Sequence, residues 1–164
     1  MILKFEKHNF DLYNTLLTLS RNIFFYKKIK LSDSFETRIY LMFMHFSIMM
    51  ITAKQKKVKF DQNSYDDLFL NIENNLREMG LGDVAVNKKM KDLNKILYDI
   101  LLKINKNIDK SFRINKKLIF KYFKDLNGSK NGEYINFETY FHNFYKFCFE
   151  LSLENMLREA INFK

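Results

Sequence analysis

The 164-residue chain reads as an all-α protein, a single-domain bundle of about six helices. Three observations predict this. Apolar residues return at steps of three and four along most of the chain, the period that lays them on one face of a helix. No stretch of useful length alternates apolar and polar residues as a half-buried strand would. Proline is absent, and two of the four glycines stand together at Gly80 and Gly82, where one apolar period stops and the next begins. A hydrophobic content of 47% is enough for a real core, and the length fits one domain. The cluster Asn127-Gly128-Ser129-Lys130-Asn131-Gly132 is loop-like and marks a candidate weak boundary over 127–133.

The elements follow in order. Residues 1–10 read as an arm. A first helix is expected over about 11–28, with Leu12, Leu16, Leu19, Ile23 and Tyr26 on one face and Asn9 or Asp11 as cap. After a short link, Asp33 with Glu36 three residues on forms a capping-box variant that opens the second helix. Residues 39–51 are apolar almost all round, broken only by His45 and Ser47. They rise about 20 Å, short of the ~30 Å hydrocarbon core, so a buried central helix is expected rather than a membrane span. Its methionines Met42, Met44, Met49 and Met50 are adaptable packing material. Two readings stand for them: core, or a soft surface that receives an apolar client helix. Under the second, Met42, Met49 and Phe144 are the candidate client-binding residues. The run Lys54-Gln55-Lys56-Lys57-Val58-Lys59 suits the negative end of the helix dipole and reads as a solvated turn.

The third helix is expected from Asn63 or Ser64 to Met79, burying Tyr65, Leu68, Phe69, Ile72 and Leu76. The fourth, over about 84–108, carries the stripe Val86, Met90, Leu93, Leu97, Ile100 and Ile104. Lys88, Lys91 and Lys95 line another of its faces, with Tyr98 on the next turn. The fifth, over about 112–126, buries Ile114, Leu118, Ile119, Tyr122 and Phe123. The sixth, over about 136–161 with Asn136 as cap, holds Phe137, Tyr140, Phe141, Phe144, Tyr145, Phe147 and Phe149. One face cannot hide so many rings. Burial on two sides is the expectation, contact with a partner the alternative.

The net charge is +9. Lys, Asn, Ile, Phe and Tyr are abundant throughout, a bias that nucleotide composition alone produces, so the placing of charge says more than its total. Between residues 86 and 124 twelve Lys or Arg face three acids, and the rest of the chain is balanced. One basic block in an otherwise neutral chain points to an anionic partner. Enzyme signatures are missing: there is no phosphate loop, dinucleotide glycine pattern or nucleophile elbow. His8, His45 and His142 lie far apart without metal-ligand spacing, so neither metal nor cofactor is expected. His45 reads as a core histidine bonded to a neighbour. The single Cys148 cannot pair within the chain, which suits a reducing compartment, and it reads as a small buried hydrophobe. The first residues have the pattern of neither a signal peptide nor a mitochondrial presequence.

The glycine corner is the best site candidate. Gly80 stands where a helix exit wants a left-handed residue, Gly82 adds a second permissive position, and Asp83 can cap the next helix. Either Arg77, Asp83 and the glycines only build the turn, or the corner presents Arg77, Glu78, Gly80, Gly82 and Asp83 to a partner. In the second case Lys88, Lys89, Lys91, Lys95 and Tyr98 extend the same surface.

The run Leu76-Arg77-Glu78-Met79-Gly80-Leu81-Gly82-Asp83, with Val84, Val86 and Lys88-Lys89-Met90-Lys91 after it, resembles the signature of the ubiquinol–cytochrome c chaperone family. The likeness is dense from Asn75 to Lys91. It is looser at Leu12-Tyr13, Phe24-Phe25-Tyr26 and Arg38 to His45, reaches about Tyr98, and is lost after about Ile108. Ala85 and Asn87 stand where the family usually has Ser and Pro, which leaves the start of the fourth helix shifted or dependent on Asp83. The resemblance implies a bacterial-type, non-enzymatic assembly chaperone. It would bind newly made cytochrome b or another bc1 subunit, or the translation and insertion machinery. A ribosome, a second assembly factor and peripheral contact with an anionic membrane are further expected partners. Specific DNA is not expected. The expected location is the cytoplasm beside the inner membrane. The alternative is an RNA-binding helical domain using the basic helices over 84–124.

Overall fold

The computed structural model describes residues 12–107, 111–128 and 131–164. Among them are eight α-helices: α1 Leu12–Ser20, α2 Ile23–Lys27, α3 Phe35–Gln55, α4 Gln62–Glu78, α5 Asp83–Lys103, α6 Lys116–Tyr122, α7 Glu133–Glu150 and α8 Leu153–Glu159. Single 3-10 turns follow at Lys124–Leu126 and Ala160–Asn162. No β-strand occurs among the described residues; an isolated bridge joins Asn105 to Ile114. The all-helical expectation is met. The count exceeds six because the first and last expected helices are each broken in two.

Both breaks have local causes. The run over 11–28 is interrupted at Asn22, whose side chain accepts from the Phe24 N–H at 3.1 Å and caps α2. Ser20 turns its hydroxyl onto the Leu17 carbonyl, and the Tyr26 hydroxyl donates to the Ser20 carbonyl. Short polar side chains compete in this way with the helix ladder. The bend drives Phe25 into the core, edge-on to Tyr140 at 4.7 Å. The expected caps Asn9 and Asp11 lie outside the described residues. At the other end, Ser152 caps α8 by accepting from the Asn155 N–H. Lys56 donates to the Cys148 and Leu151 carbonyls at the end of α7, the first of which also accepts from the Leu151 N–H.

Other boundaries also shift. Ser34 caps α3 through the Thr37 N–H, while Asp33 pairs with Arg38 at 2.7 Å and Glu36 reaches Lys89, so the Asp33–Glu36 box does not form. Asp61 caps α4, which starts at Gln62, one residue before Asn63. α5 ends at Lys103 rather than near 108, because Asn105 and Ile114 pair and Asn115 turns to cap α6. α7 starts at Glu133 after Gly132, which takes φ 78°; Asn136 is already inside the helix and does not cap it.

α3 is the centre. Every residue from Leu41 to Met49 is buried. α1, α5 and α7 pack directly on it, and α4 bridges α1 and α5. Full burial of a side chain such as Phe43 or Leu41 contributes roughly 1.5–3 kcal/mol, so this segment needs cover on all sides. The aromatic crowd of α7 is covered from two directions only in part: Phe137, Tyr140, Phe141 and Phe144 are buried, Tyr145 and Phe147 are half-buried, and Phe149 stays 48% exposed. Phe141 and Phe144 meet His45 of α3, and Phe163 returns against Tyr140, Phe144 and Phe147. Cys148 is buried, and its thiol is pushed up by burial.

His45 is fully buried between Leu41 and Tyr140. Its Nδ1 lies 2.7 Å from the Leu41 carbonyl, which only accepts, so Nδ1 carries the proton. Nε2 then accepts from the Tyr140 hydroxyl at 2.8 Å. Burial pushes the imidazole down to about 4 from its ordinary 6.5, against the Leu41 bond that favours the charged form. Between pH 6.5 and 4 the unfolded chain therefore takes a proton that the folded chain refuses. Stability from this source is complete above pH 6.5 and declines as the pH falls, by about 1.4 kcal/mol per unit at most. Urea unfolding at pH 7 and pH 5 checks this. The wild type is expected to lose about 1–2 kcal/mol more than the double variant His45→Leu/Tyr140→Phe, which removes both buried polar partners. Equal losses would contradict it.

Candidate functional site

The α4–α5 corner is a Schellman turn. Gly80 takes φ 93°, its N–H donates to the Arg77 carbonyl at 2.9 Å, and the Leu81 N–H reaches the Leu76 carbonyl at 3.3 Å. Leu81 packs on the core as the chain turns back. Gly82 differs: at φ −75° and ψ 168° it is extended backbone open to any residue, and it occupies the cap position of α5 without a side chain to offer. Its expected role as a second permissive position is corrected. So is the capping role of Asp83, which is the first residue inside α5. There its carboxylate favours the positive end of the helix dipole and takes an ion pair from Arg77. Arg77 also reaches Glu73 at 3.4 Å, one turn back on α4, and these acids hold the guanidinium above its ordinary pKa. Arg77 thus staples the corner from outside. Glu78 is exposed beside it, as is Met79.

α5 sorts its lysines by face. Lys88, Lys91 and Lys95 are exposed and enter no ion pair among the described residues. Lys89 points inward and meets Glu36 of α3 at 3.6 Å, so the expected Lys88–Lys89–Lys91 group divides. Tyr98 is 54% exposed and continues the outer row, while the Tyr65 hydroxyl of α4 donates to Asn94 at 3.2 Å. Burial pushes the Tyr65 hydroxyl up, and the neighbouring Tyr98 adds to it.

Sequence reasoning missed two features. The outer row is flanked by uncovered apolar residues, Val84 at 85% and Leu102 at 77% exposure. With the lysines and Tyr98 they form a row at steps of four and three, the same signal that marks the buried face. The second is Asp99, which takes Lys103 at 2.5 Å, Lys121 of α6 at 2.7 Å and the Tyr122 hydroxyl. Burial alone would raise its carboxyl, but these three donors outweigh it and hold the group well below the usual carboxylate range. The Asp99–Lys103 spacing of four is visible in the sequence; the Lys121 contact is not.

The candidate client residues lie elsewhere. Met42, Met49 and Phe144 are fully covered in the core, so the folded chain offers none of them to a client. No group of His, Cys, Asp and Glu that could hold a metal ion occurs among the described residues. His142 instead accepts from the Ile114 N–H at 3.3 Å. No described helix is long and apolar enough to cross a membrane.

Comparison with known families decides what this scaffold is. The family described as ubiquinol–cytochrome c chaperone matches residues 27–126, from the end of α2 through the corner to the 3-10 turn after α6. The chain belongs to that family. The match begins later than the likeness at Leu12-Tyr13 and Phe24-Phe25-Tyr26 and extends well beyond Tyr98, where the visible resemblance faded. Neither the curated proteins nor the solved structures contain a match. Membership of the ubiquinol–cytochrome c chaperone family supports a general role in bc1 assembly and implies a protein that holds others rather than one that catalyses.

The two glycines are separated by substitution. Gly80→Ala forces a Cβ into the left-handed region and is expected to cost about 1 kcal/mol in urea unfolding. Gly82→Ser meets nothing within 4 Å, supplies a cap and is expected to gain a few tenths of a kcal/mol. Equal losses at both positions would overturn the assignment.

Proposed function

We propose that this family member acts on newly made cytochrome b, or on the machinery that delivers it, through the α4–α5 corner and the outer row of α5. The observation that carries this reading is the row Val84, Lys88, Lys91, Lys95, Tyr98, Leu102. It is exposed along its length, its cations are unspent, and its ends are apolar. Such a row suits a partner surface that is acidic at its centre and apolar at its margins, with charge guiding encounter and the apolar ends adding contact area. Arg77 and Asp83 hold the corner in shape, so their contribution is to positioning. The same surface would serve a bc1 subunit, a ribosome or a second assembly factor, with the chain working as a bacterial-type member beside the inner membrane. The RNA-binding alternative finds no support in the contacts: Lys89, Lys103 and Lys121 of its basic tract are held by Glu36 and Asp99.

The triple variant Lys88→Glu/Lys91→Glu/Lys95→Glu tests the reading. All three side chains are exposed, so its circular dichroism and melting are expected to match the wild type within a few degrees. Crosslinking to nascent cytochrome b in a translation extract is expected to fall tenfold or more, and wild-type crosslinking to weaken as salt rises. Undiminished crosslinking by a folded triple variant would remove α5 from the partner surface.

A further inference from the structure

At the opposite end of α5 from the corner, the chain encloses an apolar groove. Its walls are the last turns of α3 and α5 and the link between α3 and α4, and its volume is about 710 Å³. Phe46, Met50, Ile51, Phe60 and Leu101 line it, with Phe60 edge-on to Phe46 at 5.4 Å. The size is that of a site for one small ligand or one chain of a larger one.

The rim is cationic. Lys54, Lys57 and Lys59 stand on it, all exposed and none in an ion pair among the described residues. Asp61, the one acid on the rim, spends its carboxylate on the Asn63 N–H that starts α4. Lys56, in the middle of the same run, turns away to the end of α7. The run therefore splits into one lysine tied to the fold and three around the groove. Lys57 takes φ 58°, a left-handed backbone that glycine would adopt more easily. Among these cations two apolar side chains stay uncovered, Val58 at 41% exposure and Leu102. Lysines interleaved with exposed apolar groups, around an apolar recess, match the layers of a bilayer surface: phosphate first, then hydrocarbon.

We propose that this groove takes one acyl chain of an anionic phospholipid that remains in its bilayer. Lys54, Lys57 and Lys59 bind the head groups, and Val58 and Leu102 enter the boundary beneath them. The site deepens the part of the functional reading that puts the chain beside a membrane; it meets the outer row of α5 at Leu102 and lies at the other end of that helix from the corner.

The chain has no Trp, so Val58→Trp places one reporter at an exposed rim position outside the α5 row. The full-length variant is mixed with vesicles of phosphatidylglycerol and phosphatidylcholine, or of phosphatidylcholine alone, with and without bromine on the acyl chains. Cosedimentation with the anionic vesicles only, together with quenching by the brominated chains, is the expected result. Adding Lys54→Glu/Lys57→Glu/Lys59→Glu is expected to lower vesicle binding at least tenfold, while crosslinking to cytochrome b in the extract persists. The α5 triple variant is expected to show the converse, which separates failure of this site from failure of the partner surface. Equal binding to neutral vesicles, binding without quenching, or no binding would overturn the proposal. So would capture of an acidic amphipathic peptide, added as a competitor, in place of the vesicles.

Discussion

The fold rests on one requirement: a stretch of helix apolar around its whole circumference, and too short for a bilayer, must be enclosed by protein. From Leu41 to Met49 α3 has no face that tolerates water. Enclosing it takes α1, α5 and α7 directly, with α4 closing the gap between α1 and α5. The later part of the chain is drawn in by the same requirement. α7 supplies Phe141 and Phe144 to α3, and the C-terminal turn brings Phe163 back over Tyr140 and Phe147. Of the two polar residues in this stretch, His45 is accommodated because Leu41 and Tyr140 satisfy both ring nitrogens, while the buried Ser47 hydroxyl finds no hydrogen-bond partner among the described residues. A hydrogen-bonded pair inside an apolar core fixes which turn of α7 faces which turn of α3, since any other register would strand both groups.

Outside the core, the organising variable is which cations have partners. Glu36 takes Lys89, Asp99 takes Lys103 and Lys121, and the α7 carbonyls take Lys56. Apart from Asp99–Lys103, which lies within α5, these contacts join separate elements: α3 to α5, α5 to α6, and the end of α3 to α7. Among the exposed cations outside these contacts, two groups stand beside uncovered apolar side chains, the outer row of α5 and the rim of the α3–α4 groove, and they meet at Leu102. Both are interleaved with uncovered apolar side chains, and neither serves the core.

The corner between α4 and α5 joins family and physics. It lies inside the region matched by the ubiquinol–cytochrome c chaperone family, and its backbone explains one of its glycines. Gly80 is required by a left-handed exit. Gly82 is not required by its own backbone, and Arg77 holds the corner through Glu73 and Asp83 from the outside.

The sequence by itself determined the helical class, the central place of α3, the left-handed role of Gly80 and the outward row of lysines on α5. All of these follow from spacing within one element or one turn, where a residue's neighbours are three or four positions away. Tertiary structure decided the rest. The breaks at Asn22 and Ser152 had readable local caps but lay inside runs whose apolar period continued past them. Asp99 could be counted as an acid, but not as the partner of Lys121, because α5 and α6 meet only in the folded chain. Met42, Met49 and Phe144 looked equally suited to core or client, and only the packing of α1, α5 and α7 placed them inside. The rim cations stood in one visible run, Lys54 to Lys59, but the groove has no linear signature: Phe46, Phe60 and Leu101 become neighbours only once α3 and α5 are laid side by side.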